Sequence, residues 1–233
     1  MISVQNLRKQ YGSVTAVEVD KFYIKKGECV GLVGNNGAGK TTLFQMLLDL
    51  VRPTAGSVHI DDMEVQGSDE WKRNVGSFLD DSFLISYLTP DEYFTFVADL
   101  HGYGGADLDN FLTRFRPLFN DEIIGKKKYI SSLSRGNMKK VGIAAAFIGQ
   151  PSLVMLDEPF ENLDPTSQTR LKEFIAEDQK TRNTTFLISS HDLYHVADIC
   201  TRVVLMEKGK IIMDMNDDQQ ILPKLEAYFD RQQ

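Results

Sequence analysis

Cysteine is scarce in this 233-residue chain: only Cys29 and Cys200 occur, far apart and each inside an apolar stretch. That leaves neither a disulfide framework nor a metal-ligand spacing, and a reducing compartment is the simplest expectation. Long hydrophobic runs are missing too. No window approaches the ~18 uninterrupted apolar residues of a membrane span, and the opening MISVQNLRKQYG reaches Arg8 and Lys9 before a signal-peptide core could form. If the chain serves a membrane, another chain supplies the spans. Positive charge is in deficit, with 26 Lys and Arg against 33 Asp and Glu and a net charge of −7. That is a poor footprint for gripping a phosphate backbone, so nucleic acid is disfavoured as a partner.

What remains is ordinary globular usage, 42% apolar and 25% charged, which excludes disorder, collagen-like repeats and a coiled coil. The length suits one sizeable α/β domain or two small ones. Apolar and polar positions alternate through Ile2, Val4, Leu7 and again through Val17, Val19, Phe22, Ile24, which predicts short antiparallel strands closed by the turn Lys26-Gly27-Glu28. Cys29–Val33 is nearly all apolar, as expected of a parallel strand covered on both faces. A helix is predicted from Thr41 to about Leu50, stopped at Arg52-Pro53. Val58–Ile60 reads as a strand. Thr89-Pro90-Asp91-Glu92 is a helix start with an N-cap, a proline at the first position and an acidic first turn, and that helix should run to about Gly102. From there to about Gln150 the pattern stays helical, with glycine and Pro117 breaks, so residues 86–150 are expected to form a helical insertion. Strands return at Leu153–Leu156, Thr185–Ser189 and Arg202–Met206, the last in a hairpin with Ile211–Met213.

The segment Gly34-Asn35-Asn36-Gly37-Ala38-Gly39-Lys40-Thr41 fits G-x-x-x-x-G-K-[ST] between a buried strand and a helix. Glycines let successive N–H groups turn inward on an anion, the helix N-terminus adds partial positive charge, and Lys40 reaches the β and γ phosphates. Thr41 offers a hydroxyl to Mg²⁺, and Thr42 is grouped with the phosphate-binding residues. Leu153–Leu156 ends in Asp157 and Glu158, at the carboxyl end of a strand, where ligands of open parallel sheets lie. Asp157 is expected to hold Mg²⁺, commonly through water, and Glu158 to activate the water that attacks the γ-phosphate. These parts fix nucleotide chemistry and not function. No Asn-Lys-x-Asp guanine-reading motif occurs, which disfavours a GTPase.

Leu133-Ser134-Arg135-Gly136-Asn137, at the start of an apolar helix and ahead of Asp157, resembles the signature motif of ABC ATPases, with Arg135 and Asn137 in place of its third and fifth members. The resemblance runs over nearly the whole chain. It implies an α/β fold, with a RecA-like P-loop core, an antiparallel β subdomain and a helical signature subdomain, in a single ABC ATPase domain spanning 1–233. It assigns Tyr11 as the aromatic stacking on adenine, Glu161–Asp164 as the D-loop, and His191 as the switch histidine that donates to the γ-phosphate and attacking water. Ser134 and Gly136 form a second anion site that serves an opposing subunit's ATP, with Asp164 nearby. After the strand Val75–Phe78 the family carries a glutamine; here Asp80 stands in its place, keeping an oxygen for Mg²⁺ and losing the amide donor. The following Phe83 to Leu88 fall where the family meets its membrane subunit.

The resemblance therefore implies the ATP-binding subunit of a membrane transporter, paired with a second ATPase subunit, identical or not, and with integral membrane subunits. It would lie on the cytoplasmic face of the membrane, using ATP and Mg²⁺. Compact length, Ser-x-Gly signature and acidic loop are more similar to the exporter-type ATPases than to importer cassettes. Two alternatives stay open: a soluble ABC ATPase acting on a macromolecular complex, and a small-molecule kinase. His191 and His195 are four apart, but Asp192 stands in place of the catalytic glutamate of a zinc helix.

Overall fold

The computed structural model describes residues 1–216 and 221–230. The elements run β1 (Ile2–Tyr11), β2 (Val14–Ile24), β3 (Cys29–Val33), α1 (Lys40–Leu47), β4 (Ala55–Ile60), β5 (Met63–Glu64), β6 (Val75–Phe78), α2 (Pro90–Leu100), α3 (Gly105–Phe119), α4 (Arg135–Ala146), β7 (Leu153–Leu156), α5 (Pro165–Arg182), β8 (Thr185–Ser190), α6 (Leu193–Ala197), β9 (Arg202–Glu207), β10 (Lys210–Met215) and α7 (Ile221–Asp230). They build an antiparallel sheet in the order β2-β1-β4-β5 and a six-stranded sheet in the order β10-β9-β3-β8-β7-β6. In the second sheet β3 pairs parallel with β8 and β9, and β7 parallel with β6 and β8. Only the β9–β10 hairpin is antiparallel there.

The central strands are apolar throughout because both faces of their sheet are covered. Val30 and Leu32 of β3, Leu153 and Met155 of β7, and Val204 and Met206 of β9 pack with α1 and the antiparallel sheet. Their neighbours Cys29, Val33, Val154, Leu156, Val203 and Leu205 pack against the helices on the other face. A slip of one residue in any of these strands would exchange the two sets, which fixes the register. Within the helical layer Phe115 stacks at 4.2 Å from Phe174 and 5.7 Å from Phe147, tying α3 to α5 and to the end of α4.

Four expectations are refined. The first two strands are long, and α1 stops at Leu47. Pro117 does not break its helix: α3 runs two residues further, held by buried Leu118 and Phe119, and ends at Asn120 in the left-handed conformation. The segment between α3 and α4 contains a single 3-10 turn, Ile130–Ser132, and no α-helix. The start of α2 is as expected: Thr89 and Glu92 cap each other through both side chains.

Candidate functional site

The loop from β3 to α1 is shaped by its glycines. At Gly39, the residue capping α1, φ is 104°, and a Cβ there would sit 2.6 Å from the Ala16 carbonyl, so neither backbone nor space admits another residue. At Gly34 a Cβ would lie 2.3 Å from the Met206 carbonyl. With the chain folded this tightly, the first amides of α1 point out of the helix unpaired. A cavity of about 500 Å³ opens over them, lined by residues 35–42, by Val14, Thr15 and Ala16 of β2, and by Glu158 and Lys208. Lys40 is buried at its floor, donating to the Gly34 carbonyl at 2.6 Å and lying 3.3 Å from Glu158 Oε1.

The carboxyl end of β7 supplies the acidic side. Thr41 Oγ1 donates to Asp157 Oδ2 at 2.6 Å, and Ser189 Oγ of β8 donates to the other oxygen, Oδ1. Burial pushes the Asp157 carboxyl above its ordinary value, against these two hydroxyls, which favour its charge. Ser189 Oγ also accepts from the Glu158 amide at 2.9 Å. Glu158 is held in the left-handed region at φ 47°, with Oε2 taking the His191 amide at 3.1 Å and lying 2.8 Å from the His191 ring Nδ1. A threonine hydroxyl and a carboxylate beside a phosphate-sized loop form an all-oxygen donor set, which suits Mg²⁺.

The structure thus brings Gly34 to Thr42, Asp157, Glu158 and His191 together. It does not bring Asp80 to them. The Asp80 carboxylate is exposed and caps its own turn, accepting from the Ser82 amide at 2.7 Å, and no contact joins it to Thr41 or Asp157. The next residue is the one turned inward: Asp81 Oδ1 is buried without a hydrogen-bond partner, and burial pushes its carboxyl up. Tyr11 is half exposed, opposite Val14 in the β1–β2 hairpin with Lys9 over its ring; the hairpin residues that line the cavity are Val14 to Ala16.

Ser134 and Gly136 form a separate patch. Ser134 caps α4, accepting from the Asn137 amide at 3.2 Å. A Cβ on Gly136 would lie 2.7 Å from the Asn162 carbonyl, so this glycine permits contact with the turn after β7. Asp164 caps α5, accepting from Ser167 N and Oγ at 3.0 and 2.5 Å, and these bonds hold its carboxyl down at about 2. Sequence reasoning missed Ser189 and the buried Lys139 and Lys140. Ser189 was accessible as the last residue of the strand predicted over Thr185–Ser189, but its place beside Asp157 depends on the pairing of β7 with β8; two consecutive lysines in a helix carry no signal of burial.

The family model described as ABC transporter matches residues 17–161. The chain belongs to this family. It is 32% identical to the bacitracin transport ATP-binding protein BcrA of Enterococcus faecalis over 93% of this chain and 69% of that protein. The lantibiotic transport ATP-binding protein SrtF of Streptococcus pyogenes is also 32% identical, over 94% and 92%. Among solved structures, an ATP-binding subunit of an ABC transporter superposes over both whole chains with a TM-score of 0.84 at 26% identity. The dimeric cassette MJ0796 bound to ADP and Pi covers 93% of this chain and 98% of its own with a TM-score of 0.82, a likeness of fold at 22% identity. The fold is that of an ABC cassette, and the protein is an ATPase of this family. Among the described residues of the cassette, no helix is long and apolar enough to cross a membrane.

Proposed function

We propose that this cassette hydrolyses MgATP at the β3–α1 loop and powers an integral membrane transporter as one of two facing ATPase subunits. The observation that carries the reading is the placement of Glu158, whose carboxylate lies between Lys40 and His191 at the mouth of the loop. There the residues divide the work. Backbone amides of residues 35–42 and the Lys40 ammonium bind the phosphates, and Tyr11 offers its exposed ring to the base. Thr41 and Asp157 would hold Mg²⁺, which would supply charge neutralisation for the phosphates. Glu158 takes the proton from the attacking water, and His191 orients Glu158 and donates toward the departing phosphoryl oxygens.

Ser134, Gly136 and Asp164 complete the site of the opposite subunit. None of the three lines the cavity over the β3–α1 loop, and an isologous pair would bring each patch to its mate's nucleotide. ATP then adds binding energy only in the closed pair, and hydrolysis reopens it. Moving such a pair from 1:99 to 99:1 takes ~5.5 kcal/mol of differential binding, which two bridging triphosphates can supply. The export direction is supported by the Ser134-Arg135-Gly136-Asn137 signature and the acidic residues after β6; relatives named for methionine import, at 31% identity, are the competing likeness. The cassette would sit on the cytoplasmic face, bound to membrane subunits.

The test is Glu158→Gln in MgATP, followed by size-exclusion chromatography with light scattering. A stable dimer holding two unhydrolysed ATP is expected. Normal turnover removes Glu158 as the base, and a nucleotide-loaded sample that stays monomeric removes the paired arrangement. Purification from detergent-solubilised membranes should bring an integral partner; recovery with a soluble macromolecular complex instead would favour a non-transport role.

A further inference from the structure

Lys139 is a buried cation with no part in the phosphate chemistry just described. It lies on α4, five residues after Ser134, yet its side chain crosses to the end of β7, where Nζ donates to the Glu158 carbonyl at 2.7 Å. Its nearest anion on that side, Glu161 Oε2, is 3.9 Å away, outside hydrogen-bonding range. Glu158 is therefore anchored at both ends of its own backbone: the amide by Ser189 Oγ, and the carbonyl by Lys139 and by a longer bond from the Glu161 amide at 3.3 Å. Its left-handed φ is one that a glutamate does not adopt unless its surroundings hold it there. Without the lysine donor the carbonyl keeps only the long Glu161 bond, and the residue gains room to relax and carry its carboxylate away from Lys40 and His191.

Asp81 lies in the turn that follows β6, and that turn packs against α4. One of its oxygens is buried without a hydrogen-bond partner. Its charge is among those that favour the protonated form of Lys139, and Lys139 in turn favours the Asp81 carboxylate. An ammonium carries three donors, and the Glu158 carbonyl takes one. Donor capacity on Lys139 thus stands on the helix that packs against the turn carrying this unanswered acceptor.

We propose that Lys139 is a positioning residue for hydrolysis, its ammonium fixing the Glu158 peptide while the Asp81 turn adjusts that grip. The proposal rests on Glu158 being the base. It links the helix headed by Ser134, the turn after β6 and the water-activating carboxylate through one side chain.

Steady-state ATPase rates and ATP affinities of the purified full chain test it. Lys139→Met removes the donor at similar length and should lower kcat at least tenfold with KM for ATP within threefold of the parent. Lys139→Gln keeps an N–H donor and should return kcat to within threefold. Asp81→Asn should change kcat threefold or more with KM unchanged, and should have no further effect in the Lys139→Met background. A Lys139→Met rate within twofold of the parent, a Gln variant no better than Met, or an Asp81 effect that persists undiminished without Lys139 would each overturn the proposal. If Lys139→Met does not fold, Asp81→Asn decides alone: an unchanged kcat rejects the link. Glu158→Gln in parallel separates the two readings, because an active Glu158→Gln defeats the base assignment whatever Lys139 does.

Discussion

The Sγ atoms of Cys29 and Cys200 lie 3.3 Å apart, although 171 positions separate them in the chain. Cys29 opens β3, which leads to the glycine-rich loop, and Cys200 follows α6, the helix after His191. The close packing of α6 on β3 requires Gly31, where a Cβ would meet Val196 Cγ1 at 1.8 Å. Both thiols are buried, and burial together with the neighbouring sulfur pushes the Cys200 thiol well up. A thiolate is the reactive species, so both should resist an aromatic disulfide reagent in the native protein. Two thiols per chain should titrate at once in denaturant; rapid native labelling of either would contradict this packing.

His191→Ala removes the ring but keeps the backbone amide that donates to Glu158. Glu158 should stay in place but lose its polar neighbour and the γ-phosphate its donor. We expect kcat to fall roughly tenfold to a thousandfold, the range of a lost oxyanion donor or proton partner, with ATP affinity little changed. A parallel loss of affinity would place His191 in ground-state binding instead.

Asp157→Asn replaces a buried carboxylate by a neutral isostere whose single amide oxygen can accept from one of the Thr41 and Ser189 hydroxyls while its NH2 turns toward the oxygen of the other. Without metal, the parent carries the cost of a buried charge. The variant should melt higher under metal-free conditions by on the order of 1 kcal/mol, about 2–4 °C for a chain of this size. It should also lose most of its Mg²⁺-dependent turnover. An equal stabilisation of both proteins by Mg²⁺ would take Asp157 out of the metal site.

Asp164 has its carboxyl held down at about 2 by the Ser167 hydroxyl and amide. A depressed carboxyl stabilises the folded form above its ordinary value near 3.8, and that contribution disappears as pH falls toward the folded value. Urea midpoints of the parent and Asp164→Asn should therefore differ most above pH 5 and converge as pH falls toward about 2. The difference should be small, since half of the side chain is exposed. A gap that widens on acidification would contradict the sign.

Gly136→Ala would place its methyl 2.7 Å from the Asn162 carbonyl, a backbone atom that cannot step aside alone. The turn after β7 should shift, taking Asp164 with it. ATP affinity of the isolated chain should survive, because the β3–α1 loop is untouched, whereas turnover should drop at least tenfold. Full activity would show that the turn yields freely.

Much of this architecture was legible locally. Cys29–Val33 and Leu153–Leu156 are strands with the bounds their apolar runs predict, because a run covered on both faces needs no partner to be recognised. Thr89, immediately before the helix, and Glu92, its third residue, announce its start. The Asp164-Pro165 pair carries an equally good start signal for the 18-residue α5, which a reading of Asp164 as a motif residue alone passes over. At Pro117 the local rule failed, since two buried side chains beyond it outweigh one missing amide.

By itself, the sequence determined the phosphate loop, the acidic strand end and the signature helix, because each depends on backbone geometry within a few residues of its glycines, carboxylates or caps. Only the tertiary structure decided that Asp81 rather than Asp80 turns inward, that Lys139 reaches the Glu158 carbonyl, and that Cys29 meets Cys200. Those relationships join elements far apart in the chain, and they arise from how helices settle on a sheet whose strand order no local pattern encodes.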